Sequence, residues 1–385
     1  MKCSLGKGRN VNTMQSTGRA IQILRSLGEN PATSFYERLV SVRIESILTT
    51  MAIPFILDDY GNVIAKVPGT NRLESPIAFV AHMDHPGFEV IEDGDGTGDG
   101  TVVAGALGGV PLAALRKNVN AFSFDSSGTR ASCRLEPLPE LGKRRVYVRS
   151  EAPLGIGTPI VFDLPDMIVE NGTIKMRALD DLGGCAAILA SLESISADPP
   201  ESDVYGVFTR AEEVGLIGAR LLSGEKTLPE NTFVVSVETS SLIPGVIQGG
   251  GPIIRTGDAS YTFNAEAEQI LIMGRENILK EDSEFRCQRQ LMSAGSCEAS
   301  AFAVNGYRTT GIAFALGNWH NATTSIMDEK GDVGEEYISL QDFGGGVRLI
   351  ESAARSVSVR HDSRLSSRAN GEVNEEYRNR LLRKS

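Results

Sequence analysis

Short runs of continuously apolar residues alternate along the chain with longer segments whose apolar residues recur every three or four positions. The continuous runs lie at residues 77–81, 204–208, 232–237 and 310–316. They predict strands that are buried on both faces of a sheet. Helical periodicity is found at residues 18–27, 34–51, 182–192, 265–281, 297–304 and 337–356. Strands that alternate with helices predict an α/β fold with a mixed, mostly parallel sheet flanked by helices.

The pattern changes between residues 89 and 173. Short alternating runs, such as residues 121–124 and 145–148, are separated there by turn-forming glycine and aspartate. Short alternating runs between turn residues predict a small β-rich domain inserted into the α/β domain. The expected organisation is a flexible N-terminus at residues 1–15, an α/β domain at 16–88 plus 174–356, the insert at 89–173, and a polar C-terminal tail at 357–385. The insert shows no cluster of histidine, cysteine and carboxylate that would indicate a site.

The composition limits which partners the protein is expected to bind and where in the cell it is expected to be found. The formal net charge is −11 and the basic residues are dispersed, which disfavours nucleic acid or an anionic membrane as a partner. Five cysteines without CxxC spacing disfavour a disulfide framework and favour a reducing cytoplasm. No apolar run is long enough for a signal peptide or a membrane-spanning helix. We therefore expect a soluble cytoplasmic protein.

Side chains that can bind metals follow several of the predicted strands. They are His82 and Asp84 after the run at 77–81, Glu212 and Glu213 after 204–208, Glu238 after 232–237, His320 beyond 310–316, and Asp180 just before the helix at 182–192. Each alone has an ordinary explanation, such as a helix cap or a solvated strand end. Ligands of open parallel sheets bind outside the carboxyl ends of the strands. Together, the five segments predict one metal site at that edge.

The set suits two divalent cations. Imidazole and carboxylate ligands without thiolate favour Zn²⁺, with Co²⁺ or Mn²⁺ as alternatives. A carboxylate has two oxygens, so Asp180 is expected to bridge both cations. We expect His82 and Glu238 to bind one cation, and Glu213 and His320 to bind the other. Cations in such co-catalytic pairs lie about 3.5–4 Å apart.

Two further residues have expected roles beside the cations. The Asp84 carboxylate is expected to hold the second ring nitrogen of His82, which fixes the tautomer that binds metal. Glu212 remains unliganded, so it is expected to take a proton from a metal-bound water and later pass it to the leaving amine. His85 is not expected to be a ligand, because Pro86 turns the chain directly after it.

Four motifs carry a family resemblance: AHMD (81–84), ALDD (178–181), EEVGLIGA (212–219) and VET (237–239). Together with GTPIVFD at 157–163 and the Gly-Pro loop at 251–252, they occur in a compatible order and spacing. The chain resembles the glutamyl aminopeptidase, cellulase-M and tetrahedral aminopeptidase family of co-catalytic, dinuclear metallopeptidases. The resemblance runs from about residue 25 to residue 355.

The resemblance implies a zinc-exopeptidase-like α/β domain interrupted by a β-barrel-like insert. It also implies removal of N-terminal residues from peptides, and large homo-oligomers assembled partly through the insert. Carried onto the matching positions, it gives the same five metal ligands, Glu212 as general base, and Asp84 as the partner of His82. It further implies that the peptide bond between Asp180 and Asp181 is cis.

Some positions depart from the family pattern and keep alternatives open. Glu238 stands where the family more often has aspartate, and Leu182 and Ile217 replace frequent arginines. The segment at 318–321 is closer to related carboxypeptidases and tripeptidases. The alternatives are a dipeptidase, a tripeptidase or an amide deacylase with the same two-metal site, or a catalytically silent metal-binding scaffold.

Overall fold

The computed structural model describes residues 5–92, 101–138, 144–364, 371 and 373–382, with the side chains from residue 16 onward. Parts of the predicted N-terminus, insert and C-terminal tail fall outside these ranges. The strands are β1 (Phe55–Leu57), β2 (Val63–Val67), β3 (Ile77–His82), β4 (Gly87–Glu92), β5 (Thr101–Leu107), β6 (Val119–Phe124), β7 (Arg130–Pro137), β8 (Arg145–Ser150), β9 (Pro159–Phe162), β10 (Ile168–Glu170), β11 (Thr173–Met176), β12 (Val204–Thr209), β13 (Phe233–Ser241), β14 (Ile253–Gly257), β15 (Gln288–Leu291), β16 (Arg308–Leu316) and β17 (Glu336–Ser339).

The helices are α1 (Leu5–Gly28), α2 (Arg38–Thr50), α3 (Leu112–Arg116), α4 (Leu179–Ala197), α5 (Ile217–Gly224), α6 (Ala265–Glu281), α7 (Glu298–Val304), α8 (Leu340–Ala354) and α9 (Glu375–Leu382). Short 3-10 turns lie at Trp319–Asn321 and Arg360–Asp362. Within the described ranges, none of the helices combines the length and the apolar content needed to cross a membrane.

Parallel strands form the centre of the large sheet. The sheet has eight strands in the order β1-β2-β12-β3-β13-β16-β14-β15. The neighbours β12, β3, β13 and β16 run parallel to one another, whereas β1, β2 and β14 pair antiparallel with their inner neighbours. The mixed, mostly parallel sheet that the sequence predicts is confirmed. The carboxyl ends of the four central strands therefore lie at one edge.

The apolar runs are continuous because helices cover both faces of this sheet. Phe79 and Phe208 pack in one core with residues of α1, α2, α4, α6 and α8. Val80 and Val207 pack on the opposite face with residues of α5 and α7. Successive side chains of a strand point to opposite faces, so each position in these runs has to be apolar.

A closed six-stranded barrel interrupts the α/β part of the chain. Its strands follow the order β4-β5-β8-β7-β6-β9, and every pairing is antiparallel. Phe88 and Phe162 meet edge to face in its core, with ring centroids 5.8 Å apart. The inserted β-barrel-like fold is thereby confirmed. A separate three-stranded sheet, β10-β11-β17, joins the segment after the barrel to the end of the chain.

Two predicted helices begin later than the periodicity indicates. The helix expected from residue 337 begins at Leu340, because residues 336–339 form β17 and pair with β11. The helix expected from residue 34 begins at Arg38, and the residues before it form a turn. At the N-terminus, α1 begins at Leu5, well before the predicted start at residue 18. In the first two cases tertiary contacts override a helical pattern.

Candidate active site

The predicted metal-binding side chains meet at one edge of the large sheet. β3 ends at His82, β12 ends at Thr209, and β13 carries Glu238 near its carboxyl end. These strands are parallel neighbours, so their carboxyl ends lie together. One pocket of about 430 Å³ is lined by His82, Asp180, Glu212, Glu213, Glu238 and His320. The remaining predicted residue, Asp84, is fully buried next to this pocket.

Asp180 lies between the two predicted metal-binding histidines. Its Oδ1 is 3.3 Å from Nε2 of His82, and its Oδ2 is 3.7 Å from Nε2 of His320. The same nitrogen of His320 is 3.3 Å from Oε2 of Glu213. Ligand atoms of His82, Asp180 and Glu213 all lie within 4.8 Å of one another. The Asp180–Asp181 peptide bond is cis, as the resemblance implies.

Three buried carboxylate oxygens in the pocket accept no hydrogen bond from the described part of the chain. They are Oδ1 of Asp180, Oε1 of Glu213 and Oε1 of Glu238. An unpaired anionic oxygen costs free energy when it is buried. Divalent cations would remove that cost, and the mixed nitrogen and oxygen ligands suit zinc-like ions. The residues present therefore fit the metal ions that the resemblance implies.

Backbone carbonyls orient both histidines toward Asp180. Nδ1 of His320 lies 3.0 Å from the Gly109 carbonyl, and Nδ1 of His82 lies 3.1 Å from the Asp84 carbonyl. A protonated Nδ1 that donates to these carbonyls leaves Nε2 free for a cation. The Asp84 carboxylate, predicted as the partner of His82, lies farther away at 3.5 Å. Burial lowers the pKa of His320 to about 4, which keeps its imidazole neutral.

The Asp84 carboxylate has a second task that the sequence does not predict. Its Oδ1 accepts the backbone N–H of Glu212 at 3.0 Å, and its Oδ2 accepts that of Glu213 at 3.2 Å. Burial opposes its charge, but hydrogen bonding to His82 lowers the pKa of Asp84. An ionised Asp84 therefore holds the backbone of the two adjacent glutamates while their side chains reach the pocket.

Glu212 lies beside the cluster of His82, Asp180 and Glu213. Its Oε2 is 3.8 Å from Nε2 of His82, and 12% of its side chain is exposed. Burial raises the pKa of Glu212 to about 8, opposed by His82 and assisted by negative charge on Glu298 and Asp84. A carboxyl group that titrates near neutral pH in a cleft is suited to transfer protons.

His85 is not free to bind a cation. Its Nδ1 lies 2.6 Å from the Asp180 carbonyl, and its Nε2 lies 2.9 Å from Oδ1 of Asn321. Because both ring nitrogens have protein partners, His85 supports the backbone beneath the site.

The sequence patterns do not predict the role of Glu336, which connects two sides of the site. Its Oε2 accepts the N–H groups of Leu179 and Asp180 at 2.8 and 3.0 Å, and its Oε1 accepts the N–H of His320 at 2.8 Å. The indole of Trp319 donates to Oδ2 of Asp180 at 3.1 Å. One of two adjacent glutamates after a polar loop gives no local signal for such a contact, because β17 brings Glu336 to the site through long-range pairing.

The barrel also reaches the site, through a pair of glycines. A Cβ on Gly109 would lie 2.2 Å from Nδ1 of His320, and a Cβ on Gly108 would lie 2.9 Å from Cβ of Glu213. Gly108 additionally has φ +73°, which other residues rarely adopt. The adjacent glycines were the only available signal that this part of the insert approaches another element closely.

The sequence patterns also do not predict the two buried charged residues near Glu238, which are Arg255 and Glu298. Arg255, 3% exposed, lines the pocket and donates to Oγ of Ser240 at 3.3 Å. Burial opposes its charge, but the neighbouring acidic groups of Cys297 and Glu238 raise the pKa of Arg255. Burial, followed by negative charge on Glu298, raises the pKa of Glu238 well above its usual range. Arg255 therefore balances part of the negative charge at this end of the pocket.

A family model described as M42 glutamyl aminopeptidase matches residues 149–331, the segment that contains Asp180, Glu213, Glu238 and His320. Over this segment the chain is similar to the M42 glutamyl aminopeptidases. The family resemblance indicated by the motifs is confirmed, and the chain is a peptide hydrolase.

Curated relatives agree with this assignment. A protein of Acetivibrio thermocellus named as an aminopeptidase is 28% identical over 311 residues, which cover 77% of this chain and 87% of the relative. The FrvX protein of Escherichia coli K12, also named as an aminopeptidase, is 24% identical over 345 residues, covering 81% of this chain and 91% of the relative.

Solved structures share the fold. The TET1 peptidase of Pyrococcus horikoshii has a TM-score of 0.72 and 22% identity, covering 87% of this chain and 99% of its own. An aminopeptidase from the archaeon Desulfurococcus kamchatkensis has a TM-score of 0.74 and 20% identity, covering 90% of this chain and 98% of its own. The α/β fold with its closed barrel is thus shared with these structures.

Proposed function

We propose that this protein is a dinuclear, metal-dependent aminopeptidase that removes N-terminal residues from peptides. One observation carries the proposal. His82, Asp180 and Glu213 place ligand atoms within 4.8 Å of one another, and buried oxygens of Asp180 and Glu213 have no donor in the described part of the chain. Glu212 lines the same pocket, 3.8 Å from Nε2 of His82, and we assign it no ligand role.

The proposed ligands divide between two cations, with Zn²⁺ as the preferred ion and Co²⁺ or Mn²⁺ as alternatives. Asp180 would bridge them, because its two oxygens face His82 and His320. Glu238 would complete the ligands on the His82 side, and Glu213 those on the His320 side. When bound, the cations would polarise the scissile carbonyl and acidify the attacking water.

Glu212 moves the proton in this proposal. Its carboxylate accepts a proton during attack on the scissile carbonyl and donates it to the departing amine nitrogen. Its raised pKa, caused mainly by burial, matches an acid–base role near neutral pH. Asp84 accepts the backbone N–H of Glu212, so the Glu212 carboxylate enters the pocket from a defined direction.

Two other functions fit parts of the site. A dipeptidase, tripeptidase or amide deacylase would use the same cations, so the site alone does not separate it from an aminopeptidase. A catalytically silent metal-binding scaffold needs only ligands. The mostly buried Glu212 beside His82 speaks against the scaffold, because a carboxyl group that binds no cation there destabilises the folded protein without helping to hold metal.

Substrates with free and blocked N-termini separate the aminopeptidase from the deacylase. With a panel of aminoacyl-anilides, we expect turnover on free amines to fall by at least about 100-fold when the amine is acetylated. A chelator should abolish turnover, and added Zn²⁺, Co²⁺ or Mn²⁺ should restore it. Faster cleavage of the acetylated compounds would favour the deacylase, and turnover that survives thorough chelation would contradict the metal-dependent mechanism.

Without cations, the protein should lose stability as pH rises. Burial raises the pKa of Glu212 to about 8, and burial with nearby carboxylates also raises the pKa of Glu213 and Glu238. The folded protein therefore keeps protons that the unfolded chain releases above about pH 4.3. The contribution of these protons to the free energy of unfolding is complete below that pH and is lost as pH rises toward 8.

Bound cations replace those protons, so the stabilisation by metal should grow with pH. We expect the gap in thermal midpoint between zinc-loaded and chelated protein to widen by about 4 °C or more from pH 6 to pH 8.5. Differential scanning fluorimetry at both pH values measures the gap. A gap that stays constant would show that the carboxylates are not protonated in the metal-free protein.

Assembly and location complete the proposal. The structure of P. horikoshii TET1 is described as a tetrahedron or a large octahedral shell. On that likeness we assign a homo-oligomer to this chain, with the insert at residues 89–173 contributing to assembly and to substrate access. Light scattering of the purified protein tests the assembly. A cytoplasmic location is supported by the four described cysteines, all unpaired, and cell fractionation tests it.

A further inference from the structure

The turn before α2 supports the corner that carries Glu212. Glu37 ends this turn at the N-cap position of α2, yet its side chain makes no capping hydrogen bond. The ordinary explanation of a glutamate at a helix start therefore does not apply. Instead, the Glu37 side chain is fully buried and faces the segment between β12 and α5.

The Glu37 carboxylate accepts three hydrogen bonds. Oε1 accepts the backbone N–H of Ala211 at 2.9 Å and that of Phe35 at 2.8 Å. Oε2 accepts Nε–H of Arg210 at 2.7 Å, so an ion pair closes the arrangement. These donors can stabilise a charged carboxylate in a buried position.

Ala211 directly precedes Glu212 and has an unusual backbone conformation. Its φ is +53°, in the left-handed region that non-glycine residues rarely occupy. With Asp84, Glu37 accounts for three successive backbone N–H groups. Ala211 donates to Glu37, whereas Glu212 and Glu213 donate to Asp84. Two buried carboxylates therefore hold the chain in the turn that aims Glu212 into the pocket.

Arg210 ties the same corner to two other segments. Its Nη1 donates to the Tyr60 carbonyl and its Nη2 to the Phe35 carbonyl, both at 2.9 Å. Its backbone N–H donates to Oδ1 of Asn62 at 3.0 Å. The guanidinium thus donates to two backbone carbonyls and, through Nε, to the Glu37 carboxylate.

We infer that Glu37 is a positioning residue for Glu212: it holds Ala211 at positive φ, and so sets the direction in which the Glu212 carboxylate enters the pocket. Glu37 does not line the pocket, and it is not one of the three clustered residues His82, Asp180 and Glu213. This inference rests on the proposed role of Glu212 as the group that moves the proton. Loss of Glu37 should therefore affect turnover more than substrate binding or metal content.

Two variants test the inference in the full chain. Glu37→Ala removes all three hydrogen bonds and should lower kcat by about 100-fold. Glu37→Gln keeps an acceptor for the two amides but loses the ion pair with Arg210, and should lower kcat by about tenfold while the protein stays folded. In both, KM should stay within about threefold and the metal content should equal that of the parent. Glu45→Gln is the matched control, since Glu45 pairs with Arg38 on α2 away from the site.

A double-mutant cycle distinguishes positioning from general support of the fold. If Glu37 acts through Glu212, Glu37→Gln should have almost no further effect on kcat in a Glu212→Gln background. An equal loss in both backgrounds, an unchanged kcat in the single variant, or a loss of metal with the loss of kcat would each overturn the inference. If Glu212→Gln by itself keeps full activity, the proposed function fails instead, and the two failures are distinguishable.

Discussion

Glu212→Gln should lower kcat by about 10³-fold while the protein keeps its cations. Glutamine preserves the size of the side chain but neither accepts nor donates a proton at neutral pH. Glu212 lines the pocket and stands 3.8 Å from Nε2 of His82, yet it is not one of the five proposed metal ligands. The loss should therefore fall on proton transfer, with little change in metal binding or KM.

The measurement combines steady-state kinetics on an aminoacyl-anilide with metal analysis of the same preparation. Glu230→Gln is a suitable control, because Glu230 is exposed and does not line the pocket. Metal content equal to that of the parent with strongly reduced kcat supports the assignment. Full hydrolysis by the variant would show that another group moves the proton, and metal loss would show that Glu212 is a ligand.

Asp180→Asn should release both cations and abolish turnover. The two oxygens of Asp180 face Nε2 of His82 and Nε2 of His320, at 3.3 and 3.7 Å. Asparagine removes the negative charge that a bridging ligand shares between two cations. Loss of an outer partner of a metal ligand costs about 10–100-fold in affinity, and the loss of a bridging ligand should exceed that range.

Metal content after dialysis against buffered Zn²⁺, followed by turnover at saturating Zn²⁺, measures this effect. Asp59→Asn serves as a control, because Asp59 is an exposed aspartate outside the pocket. Circular dichroism establishes that the variant is folded. A folded Asp180→Asn protein that retains two cations per subunit would refute the bridging role, whereas retention of a single cation would assign Asp180 to one cation only.

The predictable part of the fold has a local cause. β3 and β12 are covered on both faces, so each position along them is apolar, and the runs stand out in the sequence. The polar residues that follow such a run lie at the edge of the sheet, which is where His82 and Glu212 are found. Parallel pairing of β3 with β12 then brings the two together.

Other contacts come from segments whose local pattern carries no information about the site. Residues 337–339 belong to a segment with helical periodicity, yet they form β17 with Glu336 and pair with β11. This pairing brings Glu336 to the N–H groups of Asp180 and His320. Glu37 occupies a position typical of a helix cap, and its role depends on the approach of Ala211 from a distant part of the chain. Arg255 belongs to an ordinary strand pattern, and its burial beside Glu238 depends on the neighbouring strands.

The sequence by itself determined the four central strands, the edge at which side chains able to bind metal gather, and the family motifs, because each follows from short-range periodicity and residue type. Only the tertiary structure decided how these side chains are held: the carbonyls that orient His82 and His320, and the carboxylates that hold the backbone around Glu212. Such hydrogen bonds join residues far apart in the chain. Their partners are set by how strands and loops pack in space, which local pattern does not encode.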